Sequence, residues 1–173
     1  MVNKFTPGTR IDAEDFQLRF EQKDVSFVRA EMDETGIVCY YESADILADK
    51  DIQAWITQTL EAFARKRVKS RLVPRLLNMA KERGLNVNNV RVSSAKGRWG
   101  SCSSKGNINL SLYLILLPHH LQDYVLQHEL THLIEMNHSP RFWARLDKVC
   151  GGKAKTLRTE MRHYNTSFLI QNT

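Results

Sequence analysis

The chain has 173 residues, 42% hydrophobic, 25% charged and 9% aromatic, which fits roughly one globular domain and excludes disordered, collagen-like and fibrous classes. Its formal charge of +6 permits an acidic partner without requiring nucleic acid. Three cysteines, Cys39, Cys102 and Cys150, are odd in number and form no C-x-x-C, so a disulfide framework is not expected. The opening MVNKFTPGTRIDAEDF lacks an apolar signal core, and no apolar run is long enough to span a bilayer. A cytoplasmic setting is the expectation, with no membrane partner.

In chain order, residues 14–42 read as a small antiparallel meander. Phe16, Leu18 and Phe20 alternate with polar neighbours, as do Val25, Phe27 and Arg29, and Gly36 opens the β-rich run 37–41. Hairpin turns are expected at 22–24 and 33–36. From Asp51 the apolar period becomes three to four, through Ile52, Trp55, Ile56, Leu60, Phe63 and Ala64. The helical pattern continues to Gly84, with a kink or break expected at Pro74. Strands return at 89–95, 99–103 and 107–112, the last two joined by a hairpin turn at 104–106. Pro118 heads a further helix, Ser139-Pro140 starts another that ends at Gly151-Gly152, and a last helix spans about 154–164.

The helix after Pro118 carries His128-Glu129-Leu130-Thr131-His132. Histidines four apart share one helix face, about 6 Å apart along the axis at ~1.5 Å per residue. That spacing suits two imidazoles on one zinc ion, with Glu129 beside them to take a proton from metal-activated water. A catalytic zinc needs a third protein ligand, and the candidates are Glu135, His138 and Glu160. Glu135 lies ~10 Å along the axis from His128, too far to share its ion easily. His138 is favoured, because a turn at Met136-Asn137 brings it back beneath the helix just before the Ser139-Pro140 cap. Glu160, from a later helix, is the alternative.

The string from His128 to His132, then Asn137-His138-Ser139-Pro140-Arg141-Phe142-Trp143, resembles the YgjP-like metallopeptidases, relatives of the SprT-like and WLM zincins. The upstream run Arg98-Trp99-Gly100-Ser101-Cys102-Ser103, followed by Gly106, Asn107 and Ile108, carries the same resemblance. The likeness is close over about 50–150. It implies a zincin-like α+β fold with N-terminal antiparallel strands, a long basic helix, a β-hairpin sheet and an H-E-x-x-H active-site helix. By the same resemblance, Zn2+ is held by His128, His132 and His138, and Glu129 is the catalytic base of a zinc-dependent peptidase. The chain divides into a β-rich segment at 1–48, packed on a metallopeptidase domain at 49–173.

Arg98, Trp99 and Gly100 are candidate substrate-binding residues, since zincins often bind an extended peptide at a sheet edge beside the metal. Gly100 allows close backbone approach, and Arg98 can hold a carboxylate or polarise a carbonyl. Trp99 and Cys102 read more simply as packing residues. His119 and His120 read as solvated, while Tyr113, His163 and Tyr164 are possible oxyanion donors.

The charges are unevenly spread: residues 1–64 hold 6 cations and 13 acids, and residues 65–83 hold 8 cations and 1 acid. Arg65, Lys66, Arg67, Lys69 and Arg71 could contact phosphates. The rival to the peptidase is therefore a nucleic-acid-associated module built on 65–83, its zinc site structural or without turnover.

Overall fold

A computed structural model describes residues 5–164 as a mixed α+β arrangement with two small sheets. Alternation builds the first sheet. Along β2 (Phe16–Gln22), Phe16, Leu18 and Phe20 are buried and the residues between them are exposed. With β1 (Ile11–Ala13), β3 (Arg29–Met32) and β4 (Gly36–Tyr41), the order is β1-β2-β4-β3.

This corrects the expected antiparallel meander. β2 and β4 run parallel, with Phe20 opposite Cys39, and only β1–β2 and β3–β4 are antiparallel. No hairpin forms at 22–24; Val25 and Phe27 lie in the connection to β3, and Phe27 is 79% exposed. The turn at 33–36 does form: Asp33 Oδ1 accepts from Thr35 N at 2.7 Å and Gly36 N at 2.9 Å. The Thr35 hydroxyl, which donates to the same oxygen at 2.6 Å, and these two backbone bonds hold the Asp33 carboxyl down at about 2. β4 takes the inner position because Gly36, Ile37, Cys39 and Tyr41 are buried, whereas polar β3 suits an edge. A Cβ at Gly36 would overlap the Gln17 carbonyl, so the close β2–β4 approach requires glycine there.

After the short α1 (Ala44–Leu47), Asp49 caps α2 (Lys50–Arg67) by accepting from Asp51 N and Ile52 N at 2.8 and 3.1 Å. The interruption expected at Pro74 is a widening, not a break. Residues Val68–Leu72 form a π-helical turn, and Pro74 falls in the first turn of α3 (Val73–Glu82), where its missing N–H costs least. Gly84, at φ 63°, ends the run.

The second sheet, β5 (Asn89–Ser93), β6 (Gly100–Cys102) and β7 (Asn107–Ser111), has order β5-β7-β6. β6 and β7 form the expected antiparallel hairpin, β5 lies parallel to β7, and β6 is left at an edge. A buried 3-10 turn at Leu112–Leu116 leads to α4 (His119–His132), which packs on β6, α3, α5 (Pro140–Val149) and α6 (Ala154–Met161). One core joins Phe16 and Ile37 of the first sheet to Phe63, Ile108, Leu126 and Phe142.

Asp15, 4% exposed, ties the acidic N-terminal part to the basic helix. It pairs with Arg71 at 3.3 Å and His119 Nε2 at 2.8 Å, and accepts from Gln122 Nε2 at 3.3 Å. Arg67 donates to its backbone carbonyl, and Arg65 to that of Val92. Three of the five cations singled out in 65–71 thus serve internal contacts, and Lys66 and Lys69 are exposed. No helix among the described residues is long and apolar enough to cross a membrane.

Candidate metal centre and active-site cleft

α4 presents His128 and His132 one turn apart, with ring centroids 4.9 Å apart. The chain then turns through 136–138, and Ser139 caps α5 by accepting from Phe142 N at 3.3 Å. This cap sets the direction of His138, whose Nε2 lies 3.0 Å from His128 Nε2; His132 Nε2 lies 3.2 Å from the same atom. Nitrogens bound at ~2.0–2.1 Å to one tetrahedral ion would be about 3.3 Å apart, so the spacing fits a single small cation. The three form a potential metal-holding cluster among the described residues.

His132 Nδ1–H donates to the Glu135 carbonyl at 3.1 Å, which leaves its Nε2 lone pair facing the cluster. Phe142, fully buried, packs its ring 4.5–4.9 Å from all three imidazoles. Burial, reinforced by His132, His138 and Arg158, pushes His128 down to about 3, and burial also lowers His138. Both imidazoles therefore stay neutral, the form a metal requires. Phe142→Ala removes the buried ring behind the cluster. It is expected to cost about 3–5 kcal/mol of stability, read from the denaturant midpoint, and to weaken metal retention in the same protein.

The other ligand candidates are engaged elsewhere. Glu135 faces Arg141 and Arg145 at 3.6 and 3.5 Å, and Glu160 pairs with His120 at 2.7 Å. His119 and His120 are half-exposed but each meets a carboxylate, His119 at Glu14 and Asp15, so neither is simply solvated.

Glu129 is buried, and its Oε2 has no hydrogen-bond partner among the described residues. Burial raises its carboxyl to about 8, against the opposing charge of Arg98. A Cβ at position 100 would lie 2.7 Å from Glu129 Oε1 and 2.8 Å from its Cγ. Gly100 therefore makes room for the carboxylate from the β6 edge.

A cleft of about 550 Å³ opens here, lined by Trp99, Gly100, Tyr124, His128, Glu129 and His138, and closed by Val125, Trp143, Arg158 and Met161. Of the three candidate substrate contacts, Trp99 and Gly100 line it, whereas Arg98 is exposed beside it. Trp99 also packs against the core, so its packing and lining roles coexist. Tyr113 is buried and donates to Glu61 at 2.8 Å, and neither His163 nor Tyr164 lines the cleft. The Cys102 thiol is held up at about 11 by burial and Glu129, so it remains protonated, consistent with a packing role.

Tyr124, Trp143, Arg158 and Met161 were not anticipated as cleft residues. Tyr124 alone had a legible signal: it stands four residues before His128, on the same face of α4.

Three imidazoles aimed at one point, beside a buried carboxyl group and an open cleft, suit a hydrolytic metal centre. The chain belongs to the YgjP-like family, whose metallopeptidase-domain model matches residues 5–164. Membership implies a peptidase that uses a metal. Among solved structures, the crystal structure of the metallopeptidase zymogen of Pyrococcus abyssi abylysin is 33% identical. That match covers 53% of this chain and 93% of the other, with a TM-score of 0.46. No curated protein matches significantly.

Proposed function

We propose that the chain is a zinc-dependent peptidase of the zincin-like, H-E-x-x-H type, with His128, His132 and His138 holding zinc through Nε2. The observation that carries this reading is the convergence of three Nε2 atoms beside a buried carboxyl oxygen that has no partner among the described residues. When bound, zinc supplies a Lewis acid that polarises a carbonyl and makes water acidic enough to react near neutral pH.

Glu129 is the general base. Burial alone favours its protonated form, and the charge of a bound cation would favour the carboxylate. In that form Oε2 takes a proton from the attacking water and returns it to the leaving amine. The absence of a competing donor among the described residues keeps that oxygen available for the transfer. Gly100 and Trp99, on the edge of the second sheet, border the space where an extended peptide can lie. Residues 49–173 act as the catalytic domain, and 1–48 serve as a packed support anchored through Asp15. No feature of the cleft favours the nucleic-acid-associated alternative.

Zinc-loaded protein should cleave members of a quenched-fluorescence peptide library. Removal of the metal by a chelator should abolish cleavage, and added zinc should restore it. Cleavage that persists in chelated, metal-free protein would refute the proposal. Gly100→Ala is expected to push the Glu129 carboxylate aside and lower turnover by about tenfold or more, with zinc content unchanged. A wild-type rate in that variant would mean the carboxylate tolerates displacement.

A further inference from the structure

Arg158 borders the cleft from α6. Its guanidinium lies 4.5 Å over the Trp143 ring, and Trp143 stacks on His138 with centroids 5.7 Å apart at 29°. Two ring layers thus connect the cation to the imidazole cluster and limit where it can move. Its neighbours on this side are already balanced: Arg141 and Arg145 face Glu135, and Glu160 is taken by His120. Arg158 itself has no ion pair or hydrogen bond among the described residues, its contact being the Trp143 ring.

The surrounding wall of Trp99, Tyr124, Val125, Trp143 and Met161 is apolar or aromatic, and Glu129 is the one acid lining it. A second cleft of about 610 Å³ shares Trp143 and Arg158 with the first and is also lined by Lys155 and by Asp147, whose Oδ1 accepts from Ala154 N at 3.0 Å. Arg158 therefore stands where the two clefts meet, where substrate flanking the scissile bond can pass. Arg158 is exposed, and its guanidinium, held over the Trp143 ring and without a counter-ion among the described residues, favours a planar carboxylate that it can grip with two N–H donors.

We propose that Arg158 is a specificity-determining residue that binds a carboxylate of the substrate, so that acidic peptides are preferred. The inference rests on the peptidase reading. The carboxylate has two possible sources, an acidic side chain or a free C-terminus, and four probe peptides separate them. They are acetyl-Ala-Phe-Glu-Ala and acetyl-Ala-Phe-Gln-Ala, each as the free acid and as the C-terminal amide.

Binding to zinc-loaded Glu129→Gln protein is followed by tryptophan fluorescence, since Trp99 and Trp143 line the cleft. At least one carboxylate-bearing arm should bind about tenfold tighter or more than the Gln amide peptide. Adding Arg158→Gln should erase that gap, and Arg158→Lys should recover part of it, because lysine keeps the charge without the fork. Equal binding by all four peptides, no binding, or a gap that survives Arg158→Gln would overturn the proposal. Hydrolysis by the zinc-loaded wild type is scored separately. Charge-selective binding without cleavage leaves Arg158 standing and fails the peptidase reading, whereas cleavage without charge preference does the reverse.

Discussion

Glu129→Gln is expected to keep one zinc per chain and to lose about 10²–10⁴-fold in peptide hydrolysis. The amide has nearly the shape of the carboxylate, so it should fit the space that Gly100 leaves beside it. It cannot accept the proton that the reaction releases. Stability should hold or rise slightly, because a neutral amide replaces a buried acid whose Oε2 has no partner among the described residues. Elemental analysis and turnover on the same preparation separate the two effects. A variant that binds zinc and cleaves at the wild-type rate would place the base elsewhere.

His138→Ala is expected to lower zinc affinity by more than ~100-fold, since changes to groups that only orient a ligand already cost about 10–100-fold. The fold should survive. His138 is exposed, and the α5 cap is made by Ser139, which the substitution leaves in place. The measurement is zinc per chain after dialysis against a weak chelator, with thermal unfolding of the metal-free proteins as the control for folding. Glu160→Ala supplies the contrast: Glu160 pairs with His120, so its loss should leave zinc content unchanged. Zinc retained in His138→Ala and lost in Glu160→Ala would reverse the assignment of the third ligand.

The candidate site was legible where its geometry is local. Histidines four apart on a helix share a face whatever surrounds them, and the Ser139-Pro140 helix start sets the direction of His138 three residues or fewer from the cap. The β6–β7 hairpin was legible for the same reason, because Ser103, Gly106 and Asn107 close a tight turn by themselves. The N-terminal sheet was not. Local alternation marks a strand but does not say which neighbour it pairs with. That choice fell to burial, which drew apolar β4 inward beside β2 and left charged β3 at the edge.

The opening charge asymmetry was visible in composition, yet its meaning depended on where the chain brings Asp15. Packed beneath Arg67, Arg71 and His119, that one acid joins the acidic and basic parts. The sequence by itself determined most of the main helices and strands, the pair of histidines on one face and the adjacent glutamate, because each depends on residues within a few positions of one another. It also determined the family likeness, because its motifs are themselves short local strings. The tertiary structure decided the parallel pairing of β2 and β4, the fit of Glu129 against Gly100, and the meeting of Trp143, Arg158 and His138 at one cleft. These contacts join residues far apart in the chain, and only the packing of α4, α5, α6 and β6 around a shared core brings them together.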